Sequence, residues 1–148
     1  MAWDVIVWGG GTGGVAAAVQ ASRSGAQTLL LTPGPWLGGM LSAAGGSAPD
    51  GHELSCWQTG LWGQFIRTLA ATVPEGLDQN WVSCFGFRPQ QAEHLLQSWV
   101  QAEPLLEWWS GCCLLGLDRR GDRIQALDLD CNGERHRLDS RIWVDGSD

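Results

Sequence analysis

Hydrophobic and polar positions along the chain fall into short blocks of two periods. Residues 3–8, "WDVIVW", are rich in β-branched and aromatic types and predict a strand covered on both faces of a parallel sheet. Small, helix-compatible residues follow in "VAAAVQASRSG", with Gly25 where a helix C-cap is wanted, and "QTLLLT" predicts a second strand. Two amphipathic helices come next. "LWGQFIRTLAAT" spaces Leu61, Phe65, Ile66 and Leu69 along one stripe, and "RPQQAEHLLQSWVQA" opens with Pro89 and puts Ala92, Leu95, Leu96, Trp99 and Val100 on one face. His94 beside that stripe reads as a surface histidine. From Leu105 the pattern turns to strands: "LLEWWS", then "LLGLD" and "IQALDLD" joined by the polar turn "RRGD" as a hairpin, then "RIWVDGSD" as a final buried strand. Trp8, Trp62 and Trp143 fall at positions that the pattern marks as buried.

Between the first strand and the first helix stand five glycines in six positions, Gly9-Gly10-Gly11-Thr12-Gly13-Gly14. They contain G-x-G-x-x-G as Gly9, Gly11 and Gly14. Gly9 permits the tight strand-to-helix turn, Gly11 lets backbone approach a pyrophosphate, and Gly14 lets the helix pack closely on the strand. The helix start, with Thr12 and Gly13, then offers free N–H groups and a positive dipole end to the phosphates. Within a β-α-β unit of about thirty residues this pattern points to a dinucleotide. The acidic residue that normally holds the ribose hydroxyls at the end of the second strand is replaced by Thr32, followed by Pro33. A neutral hydroxyl there predicts ribose recognition without a charge-assisted grip.

The segment after Thr32 is glycine-rich where a nicotinamide-binding fold would place a crossover helix. With Asp4–Ala18, Leu37-Gly38-Gly39-Met40, Asp50-Gly51 and Thr59-Gly60-Leu61-Trp62, the chain resembles the FAD-dependent oxidoreductases of the two-dinucleotide-binding-domain flavoprotein superfamily. The resemblance implies an α/β fold: a Rossmann-like parallel sheet with helices and a small antiparallel β-meander. It also implies FAD as cofactor, with Gly38, Gly39 and Met40 against it, Gly111 and Leu114 where a strand passes the adenine, and Asp145 with Gly146 closing over the far edge. The resemblance covers essentially all of residues 1–148 and only the N-terminal part of the family's length. That reads the chain as an incomplete FAD-binding domain, with a C-terminal substrate domain and any catalytic base beyond Asp148.

Composition narrows the alternatives. Across 148 residues, 44% are hydrophobic and 17% charged, which suits one globular domain. A net charge of −7 with only nine Lys and Arg argues against a nucleic-acid partner. Five cysteines (Cys56, Cys84, Cys112, Cys113, Cys131) without a C-x-x-C pair resemble neither a disulfide framework nor a zinc site. Adjacent Cys112 and Cys113 read as one on each face of a strand. Asp50, His52 and Glu53 read as a solvated loop. The start "MAWDVIV" shows no secretory signal, and no apolar run approaches the ~18 residues of a membrane helix. These features predict a cytoplasmic protein with a small-molecule substrate. Two readings stay open beside the flavin enzyme: a nicotinamide-dependent dehydrogenase, and a nucleotide-binding module without catalysis.

Overall fold

The computed structural model describes residues 3–49, 59–72, 77–78, 83 and 85–147. In chain order these form β1 (Trp3–Trp8), α1 (Thr12–Arg23), β2 (Thr28–Leu31), a three-residue 3₁₀ turn (Gly39–Leu41), α2 (Gly60–Thr72), α3 (Pro89–Ala102), β3 (Leu106–Trp109), β4 (Cys112–Arg120), β5 (Arg123–Cys131), β6 (Glu134–Leu138) and β7 (Ser140–Asp145). Four strands build a parallel sheet in the order β3-β2-β1-β7, and β4-β5-β6 form a separate antiparallel meander.

The central strands carry apolar residues in both phases of their alternation, so each face of the parallel sheet needs a cover. Val5, Val7 and Leu30 pack with Val15 and Val19 of α1, Phe65 and Ile66 of α2, and Leu96 of α3. Ile6, Leu29 and Leu31 point the other way and pack with Leu127 and Leu129 of the meander and with Cys112 and Cys131. The result is helices, parallel sheet and meander in three layers, as the sequence predicts. The helix ends follow local chemistry. Gly25 takes a left-handed conformation just past α1 (φ +91°) and donates to the Ser22 carbonyl at 2.9 Å. At the start of α3, Pro89 occupies the first turn and the Gln91 side chain reaches back to the Arg88 N–H at 3.0 Å.

Several expectations are corrected. The last strand is an edge strand and not a buried one: β7 pairs with β1 on one flank, and Ile142 is 56% exposed. Trp8, Trp62 and Trp143 are half-buried and pack against the core from its rim. The hairpin turn is tighter than "RRGD", because Arg120 pairs with Arg123 and only Gly121 and Asp122 remain outside the ladder. Against the cysteine-spacing expectation, Cys112 and Cys131 are joined by a disulfide. They face one another directly across β4 and β5, a register that spacing alone does not reveal. Cys112 is buried and Cys113 exposed, as strand alternation requires. Asp50, His52, Glu53, Cys56 and Cys84 lie outside the described residues.

Among the described residues, no helix is long and apolar enough to cross a membrane, and no three His, Cys, Asp or Glu side chains gather as a metal site. Leu129 is fully buried where the meander meets the sheet. Leu129→Ala is expected to lower stability by about 2–5 kcal/mol, checked by urea denaturation.

Candidate functional site

The chain reverses between β1 and α1 over Gly9, Gly10 and Gly11. Gly9 adopts φ +110°, in the region that favours glycine, and a Cβ there would fall on the Gly146 carbonyl. A Cβ on Gly14 would fall on the carbonyl oxygen of Gly9, and one on Gly146 would stand 2.7 Å from the Gly14 Cα. Three glycines from β1, α1 and the end of β7 therefore meet backbone to backbone. The contact is held by Gly146 N–H donating to the Trp8 carbonyl at 2.7 Å, where Trp8 pairs with Asp145.

This packing brings the start of α1 to the C-terminal ends of the parallel strands. Gly11 is the N-cap and supplies no side-chain cap, and no acidic residue occupies the first turn. The first N–H bonded back within the helix is that of Val15, to the Gly11 carbonyl at 3.0 Å. The N–H groups before it are left for another acceptor. Thr12 and Gly13 are exposed, and a Cβ on Gly13 would meet nothing within 4 Å. An uncapped helix start with open space over it suits an anion.

A cleft of about 360 Å³ lies over this turn. Its walls come from Gly9, Gly10 and Gly11, from Thr32, Pro33 and Gly34 at the end of β2, from Gly39, and from Gly146 and Ser147 past β7. Of the residues predicted from sequence, Gly9, Gly11, Thr32, Pro33, Gly39 and Gly146 thus share one cleft. Thr12 and Gly13 border an adjoining apolar hollow of about 270 Å³, with Leu41, Trp62 and Trp99. Gly14 and Gly38 are buried behind the cleft, and Met40 is 72% exposed on the 3₁₀ turn.

Four residues expected beside the cofactor have partners within the protein. The Thr32 hydroxyl donates to the Gly34 carbonyl at 2.7 Å and accepts the Trp108 indole N–H at 2.9 Å, and the residue is 1% exposed. Its one proton is committed within the protein, and Thr32 forms part of the wall of the cleft. Leu114 does not border the cleft. The chain leaves the parallel sheet at Ser110 and Gly111, and Leu114 pairs with Leu129 in the meander. Gly111 serves the same departure: it adopts φ +72° with the Asn132 side chain filling the space where a Cβ would go. Asp145 also stands outside the lining. Its carboxylate accepts the Ser147 hydroxyl and the Ser147 N–H, and these bonds, the hydroxyl's first, hold its pKa below the usual carboxylate value.

Sequence reasoning missed Trp36 and Ser147 in the cleft lining and Glu93 beside it. Gly10 belongs to the expected glycine run, and its Cβ would come within 2.8 Å of the Thr32 methyl. An acid inside the apolar face of α3 was the signal for Glu93.

A family model described as "FAD dependent oxidoreductase" matches residues 4–148. Two curated relatives, each the sarcosine oxidase subunit alpha of a Corynebacterium species (strains U-96 and P-1), are 48% identical over 54 residues. That match is 36% of this chain and 6% of theirs. Among solved structures, p-nitrophenol 4-monooxygenase from Pseudomonas putida DLL-E4 superposes with a TM-score of 0.69 at 13% identity, covering 99% of this chain and 41% of that one. A geranylgeranyl bacteriochlorophyll reductase-like protein from Thermoplasma acidophilum gives 0.63 at 18% identity, over 99% and 39%. The likeness to these structures is one of fold, and the chain spans about two-fifths of their length.

Gly13→Ala is expected to leave the fold intact and to stabilise α1 by up to about 1 kcal/mol through helix propensity. Gly14→Ala, with its Cβ driven into backbone, is expected to cost more than about 2 kcal/mol, and thermal unfolding of the two variants separates the cases. For Asp145 the folded pKa is lowered, so its turn is stabilised at neutral pH and released as pH falls through that lowered value. An NMR titration is expected to show Asp145 moving up toward the ordinary value in Ser147→Ala.

Proposed function

Because the chain belongs to the FAD dependent oxidoreductase family, we propose that it forms the FAD-binding portion of a flavin-dependent oxidoreductase acting on a small-molecule substrate. The observation that carries this reading is the uncapped start of α1, with open space over the exposed Gly13. The residues fit the group. N–H groups at the start of α1, reached past Gly11, Thr12 and Gly13, would hold the pyrophosphate. Pro33 and Gly34 would border the adenosine half, with Thr32 as a wall. Gly39 and Met40, with Gly146 and Ser147 opposite, would flank the path toward the flavin. When bound, FAD supplies the redox chemistry, taking a hydride or electron pair from substrate, while the protein binds, orients and excludes water. No described side chain is placed here as a proton-transfer group.

The stretch between Thr32 and Pro49 favours FAD over a nicotinamide cofactor. It holds a three-residue 3₁₀ turn where a nicotinamide-binding crossover would hold a helix. A substrate domain outside this chain belongs to the same proposal, supported by the two-fifths share of the flavoenzyme-fold neighbours. The cytoplasmic setting belongs to it too, and since cytosolic disulfides are rare, the redox state of the Cys112–Cys131 pair in freshly lysed cells tests it.

The test is titration of the purified chain with FAD by flavin fluorescence, beside Gly11→Val. Binding on the order of micromolar or tighter is expected, weakened at least about tenfold by the variant. A folded chain that leaves flavin fluorescence unchanged, or a variant that binds as well as the parent, overturns the assignment.

A further inference from the structure

Glu93 lies on the buried side of α3, 3% exposed, beside the apolar residues Ala92 and Leu96. Its Oε1 accepts the Leu37 N–H at 3.1 Å and the Gln97 amide at 2.7 Å. Its Oε2 is enclosed and has no hydrogen-bond partner among the described residues, and no Arg or His pairs with it there. An uncompensated carboxylate is a costly thing to bury, and an apolar side chain would continue the stripe of α3 without that cost. The position therefore does something that stability alone does not require.

What the carboxylate holds is the segment that borders the cleft. The Leu37 N–H goes to Glu93, and the Leu37 carbonyl accepts the Ser42 hydroxyl at 2.5 Å. The next N–H, of Gly38, donates to the Gly10 carbonyl in the glycine turn at 2.7 Å. Gly38 is left-handed (φ +101°), and the Leu96 methyl, one helical turn from Glu93, stands 2.6 Å from where its Cβ would be. Consecutive backbone groups are thus tied to α3, to the following turn and to the glycine loop, immediately before Gly39 enters the wall of the cleft. Beside the tie is room to move. A hollow of about 340 Å³, lined by Trp36, Ser42, Pro89 and Glu93, adjoins the cleft and shares Trp36 with it.

We propose that Glu93 is a positioning residue that latches Leu37 to α3, keeps the Gly38–Met40 segment out of the adjoining hollow, and thereby sets the affinity of the cleft for FAD. The FAD part rests on the functional reading above; the latch itself does not.

Amide hydrogen exchange followed by NMR on the cofactor-free chain tests the latch directly. In the parent the Leu37 amide is expected to be protected, and Glu93→Met is expected to speed its exchange about tenfold to a hundredfold while Val7 is unchanged. Glu93→Gln, which keeps an amide oxygen for Leu37, is expected to stay within about threefold of the parent. Well below the unfolding temperature, Glu93→Met is expected to weaken FAD binding about tenfold and Glu93→Gln to restore it, whereas a merely structural role would move only the unfolding temperature. Unprotected Leu37 exchange in the parent overturns the proposal with no variant needed, even if Glu93→Met fails to fold. Parent-like exchange or parent-like FAD affinity in a folded Glu93→Met overturns it as well. If the parent binds no FAD, the functional reading fails and the exchange experiment still decides the latch.

Discussion

The backbone contact among Gly9, Gly14 and Gly146 fixes the rest of the site. Gly14 lies against the Gly9 carbonyl, so α1 can rise from the sheet only at one angle and one height. Gly146 closes the same contact from β7, whose register with β1 is pinned by Trp8 opposite Asp145. The turn between β1 and α1 and the distant end of β7 thereby converge where the parallel strands end. The uncapped N–H groups of α1 inherit their position from that convergence. Any side chain inserted into it would move the helix start and the cleft wall together, because interiors packed this closely transmit displacement.

A second constraint acts at the end of β2. Thr32 N–H donates to the Trp109 carbonyl, the Thr32 carbonyl accepts the Cys112 N–H, and its hydroxyl joins Trp108 to Gly34. One residue thus ties β2 to the end of β3, to the first residue of the meander and to the cleft loop. Where an acidic side chain would reach outward to a ribose, this chain uses a small buried hydroxyl to hold its own junction together. This end of the cleft is consequently shaped by backbone and by Pro33, with no charged side chain among the described residues of its lining. Nearby, the meander buries Leu127 and Leu129 on the sheet and is closed at its base by the Cys112–Cys131 bridge.

Much of this was written locally. The strand–glycine–helix unit, the caps at Gly25 and Pro89, the stripes of α2 and α3, and the division between parallel and antiparallel strands follow from periodicity and from residue conformations that act within a few positions of themselves. Gly9 and Gly14 were legible for the same reason, since the turn that needs them is formed by their own neighbours. Tertiary structure alone decided which distant groups meet. Cys112 found Cys131 through a hairpin register, Gly146 reached Gly14 across the whole chain, Thr32 lost its hydroxyl to Trp108, and Leu114 was carried into the meander. Glu93 looked like one more helix acid until packing buried it against Leu37. Local steric preference is encoded residue by residue, whereas the use of a polar or glycine position depends on what the completed sheet sets beside it.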